Sequence, residues 1–252
     1  MSENEPEKPK GGWGCLQWSV VLVVLALIAS NFVPTYGLTT VKALQMKGSS
    51  NARQIIGLLL FYASEHEGHY PDFGKDPSKM TSNVAFRDLI RAVVVDEFTL
   101  DETIFSCPRS AFIADKKLGE APDFKQALTP GENHWMMMAG SDNTSASNSL
   151  LVMENAFEAI WPPKWLPYTE TPSSSKSWFS DRRLPPPWER GRSWPGNTII
   201  LGRNDASVEV VKLEEKNGLL HLPSYLRFKD DPTSVIKILD IEVENPGTSS
   251  AP

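Results

Sequence analysis

NARQIIGLLLFYASEHEG, residues 51–68, is the stretch from which the rest of the chain can be read. Ile55, Ile56, Leu59, Leu60 and Ala63 recur at intervals of three to four residues. Asn51, Arg53 and Glu65 fall off that stripe, and Gly68 is a natural stop. The pattern predicts an amphipathic helix over residues 51–67, which needs an apolar surface to lie on. Downstream, HYPDFGKDPSKM reads as a loop by its prolines and glycine. NVAFRDLIRAVV then predicts a second, shorter helix capped at Ser82 or Asn83.

Beyond it the periodicity changes. Short apolar runs beginning at Trp135 (WMMMA), Ser149 (SLLVME), Asn197 (NTIILG), Ser207 (SVEVVKL) and Val235 (VIKILDIEV) are separated by turn residues, as antiparallel strands are. Three consecutive methionines in a strand must point to both faces, so that run reads as core packing. Helices followed by strands make the expected class α+β, with a small antiparallel-sheet domain.

Upstream lies WGCLQWSVVLVVLALIASNFV, residues 13–33, without a single Asp, Glu, Lys, Arg or His. Twenty-one residues at helical rise span roughly 30 Å, the thickness of a bilayer's hydrocarbon core, so the expectation is a transmembrane helix. A secretory signal would be shorter and end in a better small-x-small site than Ala29 and Asn31 supply, and a core helix would be apolar along one stripe only. Basic residues on the two sides (Lys8 and Lys10; Lys42, Lys47 and Arg53) do not choose an orientation. Pro34 and Gly37 predict a kink or break, with helix resuming before Gly48. Residues 1–12 and 246–252 read as disordered tails.

The 252 residues carry a formal net charge of -6, and their basic residues are scattered, which argues against a nucleic-acid partner. Cys15, in the apolar run, and Cys107, in the domain, are not expected to pair. Five of the eight tryptophans and eight of the twenty prolines fall within residues 161–196, a long irregular loop. Its tryptophans either pin an insertion onto the domain or form an aromatic surface for sugars or proline-rich peptides.

Enzyme signatures are missing. The two histidines of HEGH (residues 66–69) are three apart rather than the four a zinc-protease helix uses, and there is no Gly-x-Ser-x-Gly and no phosphate-cradling glycine loop. Glu214–Glu215 and Asp230–Asp231 read as solvated pairs. No catalytic, metal or cofactor site is expected.

The helix and its continuation resemble the bacterial type IV pilin-like proteins, including the pseudopilins of type II secretion. Those proteins commonly carry Asn-x-Arg-Gln-Ile-Gly, then Tyr-Ala, then Gly-x-Tyr-Pro. Asn51, Arg53, Gln54, Ile55, Gly57, Tyr62, Ala63, Gly68, Tyr70 and Pro71 match, with Ile56 inserted. Weaker echoes follow in FSCPRS (from Phe105), LLVMENA (from Leu150) and TIILGRNDASVEVVKL. In the last, Asn204, Asp205 and Ala206 replace an Asp-Gly-His type turn. The resemblance implies a pilin-like α+β domain over residues 34–245, and a prepilin-type cut after Gly12 that makes Trp13 the new N-terminus. Gln17 then falls where those proteins carry Glu, so the chain is either uncut or a minor subunit. It further implies a single-pass envelope protein with its C-terminal domain outside the cytoplasm. The partners would be the membrane and other pilin-like or secretion-system subunits, and the role structural. The other reading is an anchored envelope domain that binds peptide or glycan through the Trp- and Pro-rich loop.

Overall fold

The computed structural model describes residues 14–94, 100–169, 189–226 and 236–243. The chain divides into two units, residues 1–42 and 43–252, and each is taken by itself. The class is α+β. Helix α1 (Cys15–Glu65) is followed by α2 (Ser82–Val93). The strands are β1 (Trp135–Met138), β2 (Leu150–Glu154), β3 (Lys164–Trp165), β4 (Thr198–Arg203), β5 (Val208–Lys212), β6 (Glu214–Lys216), β7 (Leu219–His221) and β8 (Ile238–Leu239). They form an antiparallel five-stranded sheet in the order β5-β4-β2-β1-β8 and a smaller sheet in the order β3-β7-β6.

The expected transmembrane helix is corrected. Among the described residues no helix is long and apolar enough to cross a membrane. The described part of the run carries the polar Gln17 and Ser19. The single-pass membrane localisation goes with it. The break expected at Pro34 or Gly37 is also absent, since α1 is helical through both and through Gly48. A proline removes only its own N–H from the ladder, and the neighbouring turns continue the helix. The 1–12 and 246–252 tails lie outside the described residues.

In the second unit α1 buries Ala52, Ile55, Ile56, Leu59 and Ala63 completely, while Leu60 is half-buried. Burying side chains of this size stabilises the fold by roughly 1.5–3 kcal/mol each. The helix approaches β4 closely, and glycines make room for it. A Cβ at Gly48 would lie 2.7 Å from Ile200 Cδ1 and 3.0 Å from Cys107 Sγ, and a Cβ at Gly202 would collide with Ile56 Cδ1. On the sheet, Met136, Met138, Ile199 and Leu201 join Trp165, Val211 and Leu220 in a second apolar cluster. Both faces are therefore covered, and all four residues of β1 are buried.

Helix α2 begins one residue earlier than expected. The Thr81 hydroxyl accepts the Val84 N–H at 3.1 Å, the usual N-cap bond. Ser82 and Asn83 are buried instead. The Asn83 amide donates to Leu128 O at 3.0 Å, and its oxygen accepts from the Asn133 amide at 3.2 Å.

Candidate functional site

The residues of the helix motif divide between the inside and the outside of the domain. Asn51 is buried, and its amide donates to Thr103 O (3.3 Å) and Ser106 O (2.9 Å), tying α1 to the turn ahead of Cys107. Pro71 is buried beside Tyr70, whose hydroxyl donates to Asn204 Oδ1 at 2.5 Å. Burial, and then the charge of Asp142, push that phenol up to about 12. Asn204 donates in turn to Asp142 O and Ser145 O, so the turn between β4 and β5 is knotted to the end of the helix.

Arg53, Gln54 and Gly57 face outward. The Gln54 amide folds back onto Ser50 O (3.3 Å), and a Cβ at Gly57 would meet nothing within 4 Å. Tyr62 is half-buried and stacks on His66, with ring centroids 3.7 Å apart. Gln17 accepts on Oε1, at 3.1 Å, the N–H of Gly14, which lies three residues before it and directly ahead of the helix start, as one half of a capping box does. Gly12 and Trp13 lie outside the described residues.

The chain's most concentrated polar chemistry lies elsewhere, around Glu154. Cys107, His134 and Glu154 are all buried, and one ligand atom from each lies within 4.8 Å of the others. Thiolate, imidazole and carboxylate form a donor set that zinc accepts. The same groups are also joined by hydrogen bonds. The Gly191 N–H donates to Asn155 Oδ1 at 2.7 Å, which fixes the amide and aims Asn155 Nδ2 at His134 Nδ1, 2.8 Å away. Nδ1 must therefore accept, and Ser110 Oγ also lies 2.7 Å from it. The ring proton is thereby assigned to Nε2, which donates to Glu154 Oε1 at 3.4 Å.

The same oxygen accepts the Trp194 indole N–H at 2.7 Å and the Cys107 thiol at 3.4 Å, while Oε2 accepts the Ile200 N–H at 3.0 Å. Burial, and then the Glu154 charge, push the Cys107 thiol well above its ordinary 9.0. A metal bound here would have to displace the thiol and Nε2 protons and break these bonds. The thiol is not placed for nucleophilic chemistry, since Cys107 is 3% exposed and His134 6%. The cluster is a hydrogen-bonded anchor that joins the segment through Cys107, strands β1, β2 and β4, and Trp194.

Trp165 and Trp194 are both fully buried, and Trp165 Nε1 donates to Asn155 O at 3.0 Å. The described ends of the 161–196 loop are thus pinned by tryptophan. Residues 170–188, which would carry a peptide- or glycan-binding surface, lie outside the described residues.

An open groove of about 410 Å³ lies at the C-terminal end of α1. Its walls are two stacked aromatic pairs, Tyr62 on His66 and His69 on Phe73, with centroids 3.7 and 3.4 Å apart. Glu65 and Glu67 add carboxylates, and Lys75, also on the wall, is bonded to Asp88 at 2.5 Å. His66 Nδ1 lies 2.8 Å from Tyr62 O, a carbonyl that can only accept, so the ring presents Nε2 as an acceptor. HEGH thus contributes to a groove rich in acceptors and π faces.

No family model, curated protein or solved structure matches the chain.

Proposed function

We propose that this chain is a pilin-like structural subunit of a secretion or surface assembly, and that subunits pack through the outward face of α1. The observation that carries the reading is Gly57. A glycine inside a helix costs roughly 1 kcal/mol relative to alanine, and among the described residues nothing comes close enough to require it. Close approach of a second helix would give it a use. Apolar side chains flank it on the same face: Met46 is 73% exposed and Phe61 54%. The motif residues Arg53 and Gln54 lie on that face too. In the first unit Leu22 and Val23 are also exposed.

Gly57→Leu tests this reading. The open space around Gly57 lets the domain accept the side chain, so the unfolding temperature should hold or rise, while a leucine keeps two helices apart. Sedimentation velocity over a concentration series should show wild-type self-association weakened at least about tenfold by the substitution. A wild-type chain that stays monomeric at high concentration, or one whose association Gly57→Leu leaves alone, would overturn the reading.

A further inference from the structure

We infer that the groove at the end of α1 receives the guanidinium of Arg53 from a second copy of the chain, an inference that rests on α1 being the assembly helix. The groove offers acceptors and ring faces: two glutamates, His66 Nε2 and the exposed Phe73 stacked on His69. Among the described residues its cation is Lys75, which is engaged with Asp88. A planar, donor-rich cation suits such walls better than an ammonium does, because it can stack on a ring and bond a carboxylate in the same plane.

The chain supplies such a group on the same helix. Arg53 is exposed, and among the described residues it makes no hydrogen bond or ion pair. It cannot reach its own groove. Arg53 and Glu65 are twelve residues apart, which is about 18 Å along the axis and about 120° around it. The two features therefore flank the outward stripe of Met46, Gly57 and Phe61 on different sides. A copy that places its Arg53 in a neighbour's groove leaves its own groove open for the next. Contacts of this kind, between two different patches, propagate into open chains unless the rotation closes a ring.

Disulfide trapping tests this directly. Arg53→Cys and Glu65→Cys are made separately in a full-length Cys15→Ala chain, Cys107 being buried, and the two proteins are mixed under mild oxidation. A mixed-disulfide dimer from the mixture, absent from either protein alone, supports the contact. The same bond within one chain is excluded, because cysteine Cα atoms must lie within about 7 Å. A charge swap gives a second reading. Arg53→Glu should weaken association roughly five- to tenfold, and pairing it with Glu65→Arg/Glu67→Arg should restore most of the loss. If sedimentation shows association intact while no mixed disulfide forms and Arg53→Glu has no effect, the groove assignment fails and the assembly helix stands. If the wild-type chain does not associate, both fail.

Discussion

Replacing Glu154 by glutamine tests whether the buried cluster is an anchor or a metal site. The carboxylate accepts two well-formed bonds, from Trp194 Nε1 at 2.7 Å and Ile200 N at 3.0 Å, and two longer ones from Cys107 and His134. Glutamine nearly keeps the shape but converts one oxygen to an NH2 group. Whichever way the amide turns, a buried N–H of Trp194 or Ile200 then faces another donor, at a cost of roughly 1–3 kcal/mol, and the remaining bonds lose their charge assistance. The sum is about 3 kcal/mol. For a domain of roughly 200 residues that corresponds to a fall in Tm of about 6–12 °C. The assay is thermal unfolding followed by circular dichroism, with EDTA and with zinc added to the wild-type protein in parallel runs. An anchor predicts a large fall for Glu154→Gln and no response of the wild type to chelator or zinc. A variant within about 1 °C of wild type, or a wild type that loses stability in EDTA, would refute the proton assignment on which the argument stands.

Three further outcomes follow from the geometry. Gly57→Ala should stabilise the chain by about 1 kcal/mol through helix propensity alone while weakening self-association, a pair of opposite effects read by chemical denaturation and sedimentation. Gly191 has a φ of +70°, and a Cβ there would collide with the backbone of Ala156 and Phe157, so Gly191→Ala should cost about 3 kcal/mol or more in urea unfolding. Burial, with the nearby charges of Glu132 and Asp115, raises the Glu102 carboxyl above its ordinary 4.5, against the Leu128 N–H bond that lowers it. The folded state therefore favours the protonated acid, a contribution present below 4.5 and lost as pH rises through the raised value. Glu102→Gln, which can still accept the Leu128 N–H, should melt higher than wild type at pH 7–8 and converge with it near pH 4.

How much the sequence reveals depends on whether a feature is local. The stripe Ile55, Ile56, Leu59 and Ala63 is legible because a helix repeats within a few residues, and all four side chains are fully buried. The strands at Trp135, Leu150, Thr198 and Val208 are legible for a similar reason. The β6–β7 hairpin carries a local signal that lies outside the expected strands. Asn217 and Gly218, both at positive φ, form an Asn-Gly turn, but Glu214 and Glu215 on the preceding strand read as a solvated pair. The Glu154 cluster had almost no local signal. Cys107, His134 and Glu154 belong to separate segments, and only the acid closing the apolar run LLVME hints that a buried charge needs partners there. In the 13–33 run, length without charge predicts a span, yet among the described residues no helix is long and apolar enough to cross a membrane.

The division of the helix motif links fold to function. Asn51, Tyr70 and Pro71 each have a use inside the domain, the first two through bonds that fix α1 to the turn before Cys107 and to the β4–β5 turn. Arg53, Gln54 and Gly57 alternate with the inward residues but contribute little to this chain's own stability: a side chain folded onto the same helix, an exposed cation and a glycine with open space around it. A monomer selected for stability alone would favour alanine at position 57 and has no use for a bare guanidinium at 53. The outward half of the motif makes physical sense once a second helix lies against it. Arg53 then has a carboxylate to meet, Gly57 sets the distance of approach, and Phe61 loses its exposure to water.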